Sequence, residues 1–149
     1  MIKALIASIA LSTLCIPQVN ATPYSEKDLL NDFKDMGGRV YVDSALCREN
    51  PGVFGMAQGA SVHLCTEPHK GDTAEFQDTI RHEVFHIAQF CNDGPFTSSA
   101  ASTIAEAHEK GWTERGYKPD HWHMEAEAYF VAATFTPEEI RNVLVKACS

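Results

Sequence analysis

The stretch DTAEFQDTIRHEVFHIAQF, residues 72–90, decides how the rest of the chain is read. Asp72 is an N-cap type residue with Glu75 three positions on, a capping-box-like start for a helix. Phe76, Ile80, Val84 and Ile87 follow at helical spacing and form an apolar stripe. His82 and His86 lie away from that stripe. Being four residues apart, they sit about one turn from each other on one face, where both imidazoles can reach one metal ion. Glu83 stands beside the first of them, close to where an open coordination position would be, and can take a proton from water there. Zinc suits such a site, since it accepts a four-coordinate N/O donor set and lowers the pKa of its water to about 7. The expectation is a helix that buries one face and offers the other.

Two imidazoles need a third ligand. A short metal loop would carry Gly at position 89 and His or Asp at position 92, but this chain has Gln89 and Asn92. The ligand must therefore come from elsewhere. Met124-Glu125-Ala126-Glu127-Ala128-Tyr129-Phe130 sets two carboxylates on an expected helix downstream. Residues two apart on a helix diverge, so only one can face the metal. Glu125 shares its face with Ala128, Tyr129 and Ala132, small or buriable residues suited to packing on the histidine-bearing helix, and is the preferred ligand. Glu127, flanked by positions expected to see solvent, is the alternative.

The motif resembles that of the zincin metallopeptidases, and within them the gluzincins. There the motif helix supplies two His ligands and a general-base Glu, while a second helix supplies a Glu ligand. The resemblance implies His82, His86 and Glu125 as ligands of one Zn²⁺ per chain, Glu83 as the base, and a peptide or protein as substrate. Glu125-Ala126-Glu127-Ala128-Tyr129 is similar to the Glu-x-x-Ala-Asp/Asn pattern of the integral-membrane prenyl-protein peptidases and their soluble relatives. Tyr129 replaces the acid or amide that commonly supports a ligand His in that pattern. Alignment on the thermolysin-like Glu-Ala pair selects Glu127 instead. The resemblance also implies that Ser61-Val62-His63-Leu64 is an edge strand to which an extended substrate adds. The residues alone equally allow a core strand with His63 facing water. A group to steady the tetrahedral oxyanion is expected among Tyr117, His121, His123 and Tyr129. The likeness covers roughly residues 60–133, and its specific part is the five residues from His82 to His86.

Outward from this centre, the chain reads as one α+β domain. Ser25 with Asp28 three positions on opens a helix bearing Leu29, Leu30, Phe33 and Met36, which Gly37-Gly38 stop. Arg39 to Asp43 alternates as a strand, and a Gly- and Pro-containing stretch follows. Residues 53–57 and 60–64 are expected to pair as a hairpin across Gln58-Gly59. A weaker helix is expected over Ser102 to Lys110 and a further one from about His121 to Thr134. Thr136-Pro137-Glu138-Glu139 then starts a last helix through Lys146. The expected architecture is a small zincin-like domain: a short three-stranded mixed or antiparallel sheet packs on the motif helix and the Glu-bearing helix, with helices flanking at either end.

Residues 1–21 read as a secretory signal peptide. Lys3 is a basic start, Ala4 to Ile16 is an apolar run too short to span a bilayer, and Val19-Asn20-Ala21 offers small residues for cleavage after Ala21. No later segment is long and apolar enough to cross a membrane, so a secreted or periplasmic domain of residues 22–149 is expected. Lys3 is the leader's one charge, so the chain's net −8 becomes −9 without it. That balance argues against nucleic acid, whose phosphates need a basic footprint. Four cysteines remain, and in an oxidising compartment they should form two disulfides. Of three possible pairings, Cys47–Cys65 would clip a local hairpin and Cys91–Cys148 would tie down the C-terminus, so these are preferred. Two functions compete: an exported zinc metalloendopeptidase, and a zincin-shaped binding or structural module held by zinc and disulfides.

Overall fold

The computed structural model describes residues 22–97 and 121–149. In chain order these form helix α1 (Glu26–Asp35), strand β1 (Arg39–Val42), short helix α2 (Ala45–Glu49), strands β2 (Gly55–Gln58) and β3 (Ser61–Leu64), and helices α3 (Thr73–Cys91), α4 (Trp122–Thr134) and α5 (Pro137–Ala147). The class is α+β with a small mixed sheet, as the sequence indicated. The expected helix over Ser102 to Lys110, the residue Tyr117 and the leader lie outside the described residues.

Local chemistry places the helix starts. Ser25 and Asp28 form a reciprocal capping box on α1, and Thr136 and Glu139 form another on α5, with Pro137 at its first turn. The Asp72 carboxylate accepts from the Glu75 backbone N–H and opens α3. The stretch after β1 departs from expectation. Asp43-Ser44 turns into α2, and the Cys47–Cys65 disulfide anchors that helix beside the end of β3. Ser44 stands at its N-cap, but its hydroxyl bonds His63 Nδ1 at 2.9 Å instead of a backbone N–H.

Two details of the sheet also correct the expectation. The hairpin turns at Gly59-Ala60, one residue later than expected, with Gly59 at φ +57°. More consequentially, the strand order is β1-β3-β2, so Ser61, Val62, His63 and Leu64 form the central strand. β3 pairs in parallel with β1 (Arg39 opposite Ser61) and antiparallel with β2 (Gly55 opposite Leu64). With both sides bonded, β3 has no edge to offer a substrate. Val62 and Leu64 point into the core, while His63 faces the other side of the sheet and stacks on Tyr41.

α3 is the centre of the molecule. From Thr79 to Gln89 every residue but Arg81 is buried, because helices and sheet enclose α3 on several sides. It thus departs from a one-faced amphipathic helix. Ile80, Val84 and Ile87 join Leu29, Phe33, Val62, Leu64, Ile140 and Leu144 in the core, as the stripe indicated. α4 covers the histidine face. Arg81 ties three helices together by bonding Glu26 of α1, Asp78 of its own helix and the Ala132 carbonyl of α4. Among the described residues no helix is long and apolar enough to cross a membrane. The disulfides join Cys47 to Cys65 and Cys91 to Cys148, the preferred pairing, and suit a chain that folds in an oxidising environment.

Candidate metal centre

The four-residue spacing brings the two imidazoles together. His82 Nε2 and His86 Nε2 lie 3.0 Å apart, with the rings nearly perpendicular. Glu125, in the first turn of α4, reaches both: Oε2 is 3.3 Å from His82 Nε2 and Oε1 is 3.5 Å from His86 Nε2. Donor atoms bound tetrahedrally at zinc's usual distances would stand about 3.3 Å apart. The observed spacings lie near that edge, and these three side chains could hold a metal ion.

Glu83 completes the arrangement. Its carboxyl is buried, and the Ala57 backbone N–H favours its charged form. Burial pushes its pKa above the ordinary carboxyl range, against the opposing pull of the His82 and His86 rings. Burial likewise disfavours charge on Glu125, yet hydrogen bonds from His82 and His86 and their charge together bring it down to about 2. Burial is also the largest single influence on His86 and opposes its charge. The hydrogen bond and charge of Glu125, with Glu83 and Gln89, outweigh it and raise His86 to about 9. The Glu125 carboxylate and the His86 imidazole thus favour each other's charged form.

Gly55 allows this closeness. A Cβ there would lie 2.7 Å from Glu83 Cγ and 2.8 Å from Thr79 Cγ2, so only glycine lets β2 run this close to α3. The Phe54 carbonyl accepts from Cys65 N–H, and strand alternation then turns the Gly55 and Ala57 amides away from β3. The outer edge of β2, not β3, therefore borders the centre. A cleft of about 740 Å³ opens there between residues 51–55, the Glu75, Asp78, Thr79, His82 and Glu83 side of α3, and Tyr129, Ala132 and Ala133 of α4.

The structure separates the two candidate acids. Glu125 joins the imidazoles, and Glu127 does not. Glu127 is nevertheless only 3% exposed, contrary to its expected solvent-facing place. It accepts from Gln89 Nε2 at 2.8 Å, Phe96 N–H at 3.0 Å, Thr97 N–H at 2.6 Å and the Thr97 hydroxyl at 3.0 Å. Gln89 in turn meets His86 Nδ1 at 2.7 Å. An amide beside His86 thus lies three residues beyond it on α3, and Tyr129 instead packs edge-to-face with His82, centroids 4.5 Å apart. Gln89 carried a readable sign, since i and i+3 side chains meet on a helix, whereas nothing in the sequence marked Gly55. Tyr129 lines the cleft. His121 and His123 are exposed at the start of α4 and are not among the cleft's lining residues.

No curated protein and no solved structure matches this chain. A family model described as a domain of unknown function (DUF8637) matches residues 18–149. That match takes in all of the helices and strands described above, and the chain belongs to the DUF8637 family.

Proposed function

We propose that this protein is an exported zinc-dependent metallopeptidase of the zincin type. The observation that carries this reading is the grouping of donor atoms of His82, His86 and Glu125 within 4.8 Å of one another, with Glu83 close by at the wall of a cleft. Two imidazoles and one carboxylate are the donor set that zinc takes in hydrolytic sites, with one position left for water. Zinc so bound supplies a Lewis acid that polarises the scissile carbonyl and acidifies water.

The remaining work falls to side chains of this chain. Glu83 accepts the proton as water adds to the peptide carbonyl, and returns it to the amine nitrogen as the C–N bond breaks. A nearby cation favours the ionised carboxylate that this requires, offsetting the upward push of burial. An extended substrate adds as a strand to the outer edge of β2, where main-chain hydrogen bonds ask for no particular sequence. Tyr129, over His82 and facing the cleft, is the described candidate for steadying the oxyanion. The leader-like residues 1–21 and the two disulfides support the export part of this reading.

The test is a comparison of wild type with Glu83→Gln on a library of unfolded protein and peptides, with bound zinc measured in both. Loss of a catalytic acid–base typically costs about 10²–10⁴-fold in rate. Zinc retained in Glu83→Gln with cleavage lost by that factor is the expected result. A variant that cleaves as fast as wild type refutes the mechanism, and stoichiometric zinc with no turnover in wild type would make the centre a structural one.

A further inference from the structure

We propose that Gln89, held in place by Glu127, fixes the tautomer and aim of His86 and thereby sets how tightly the centre grips its metal. This rests on reading His82, His86 and Glu125 as a metal site. It does not depend on the protein's being a peptidase.

Gln89 is wholly buried, so its amide must find partners inside the protein. Its Nε2 donates to the Met124 carbonyl at 3.0 Å and to Glu127 Oε2 at 2.8 Å. Two acceptors consume both amide hydrogens. A flipped amide would set its oxygen against two other oxygens, so Oε1 has to face His86. There it lies 2.7 Å from Nδ1 and accepts that nitrogen's hydrogen. An imidazole that donates through Nδ1 can keep a lone pair on Nε2, the atom that meets His82 and Glu125.

Glu127 makes the orientation one-way. Its carboxyl oxygens accept from donors on every side: Gln89, the Phe96 and Thr97 amides and the Thr97 hydroxyl. The direction of every bond from Glu127 through Gln89 to His86 is thus determined by a group that never touches the metal position. His82 differs. Among the described residues its Nδ1 has no hydrogen-bond partner, and its ring packs on Tyr129. Of the two histidines, His86 is the one whose geometry is preset. Outer partners of this kind commonly change metal affinity 10–100-fold when lost.

The experiment measures zinc affinity by chelator competition in wild type, Gln89→Met and Glu127→Gln, and records ring NMR of His86 in the zinc-loaded proteins. Gln89→Met keeps the volume but removes the acceptor. Its zinc Kd should rise about 10–100-fold. Glu127→Gln, which sets a second amide against Gln89, should raise Kd by a smaller factor. Wild-type His86 should ligate through Nε2 and carry a slowly exchanging Nδ1 hydrogen, a signature that Gln89→Met loses and that a merely space-filling role would not move. Should Gln89→Met fail to fold, the wild-type ring signals and Glu127→Gln decide. Ligation through Nδ1, or a Gln89→Met Kd within twofold of wild type, overturns the positioning role alone. Failure of wild type to bind zinc overturns the metal centre and this proposal with it.

Discussion

At His86, Glu125 and Glu83, three titrating groups share one buried space, and their shifts make stability depend on pH in a definite sense. The folded value of His86 is raised from 6.5 to about 9, so its contribution is complete below pH 6.5 and is lost as pH rises through about 9. Glu125 is lowered from 4.5 to about 2, so its contribution is present above pH 4.5 and lost as pH falls through about 2. Glu83, raised by burial, costs stability as pH rises above 4.5 and it ionises, the same sign as His86. In chelator, the melting temperature should therefore decline between pH 6.5 and 9. A metal must displace the His86 proton, so zinc affinity should climb over the same interval. A chelated protein whose melting point is flat or rises across it contradicts the assigned pairing. At this scale the sequence was legible wherever spacing along one helix sufficed, as for His82, Glu83 and His86. Glu125 was found because helical phase separates it from Glu127. The burial of Glu127 was not legible, since its partners Phe96 and Thr97 come from the turn beyond α3 and no periodicity links them to α4.

Among elements, what could be read depended on how local the deciding interaction is. The ends of α1, α3 and α5 are set by residues three positions apart, and they fall where Ser25, Asp72 and Thr136 indicated. The β2–β3 hairpin is equally local. The place of β3 in the sheet is not, because it depends on parallel pairing of Arg39 with Ser61 across 22 residues, and a four-residue strand carries no mark of which neighbour it will take. The disulfides divide along the same line. Cys47–Cys65 closes a separation of 18 residues and Cys91–Cys148 one of 57. In the chain-entropy account these restrict the unfolded chain by about 3 and about 4 kcal/mol respectively. Cys91 also ends the central helix, five residues beyond His86. Replacing Cys91 and Cys148 together by Ser should lower the melting temperature more than replacing Cys47 and Cys65, as read by calorimetry. The reverse order would mean that strain or residual unfolded structure outweighs loop length.

Taken as a whole, the molecule holds its parts unequally. α5 brings Ile140 and Leu144 fully into the core and is bolted to the end of α3 by Cys91–Cys148. α4 has no disulfide, and its buried apolar residues are Ala126, Ala128, Val131 and Ala132. Three of the four are alanines, each contributing less than the roughly 1.5–3 kcal/mol that a fully buried Val, Leu, Ile or Phe supplies. α4 therefore depends more on polar ties to α3: Arg81 to the Ala132 carbonyl, Gln89 to Glu127, and the two histidines to Glu125. A bound ion would bridge the last of these. At a hundred times its Kd it would stabilise the folded chain by about 2.7 kcal/mol. The consequence should be local. Above pH 9, where most of the His86 proton is lost and no longer stands in for the metal, chelation should speed hydrogen exchange in α4 well beyond any change in α1 or α5. Exchange that quickens evenly over all helices, or not at all, would show that the His82–His86–Glu125 group does not join α4 to the rest of the fold through a metal.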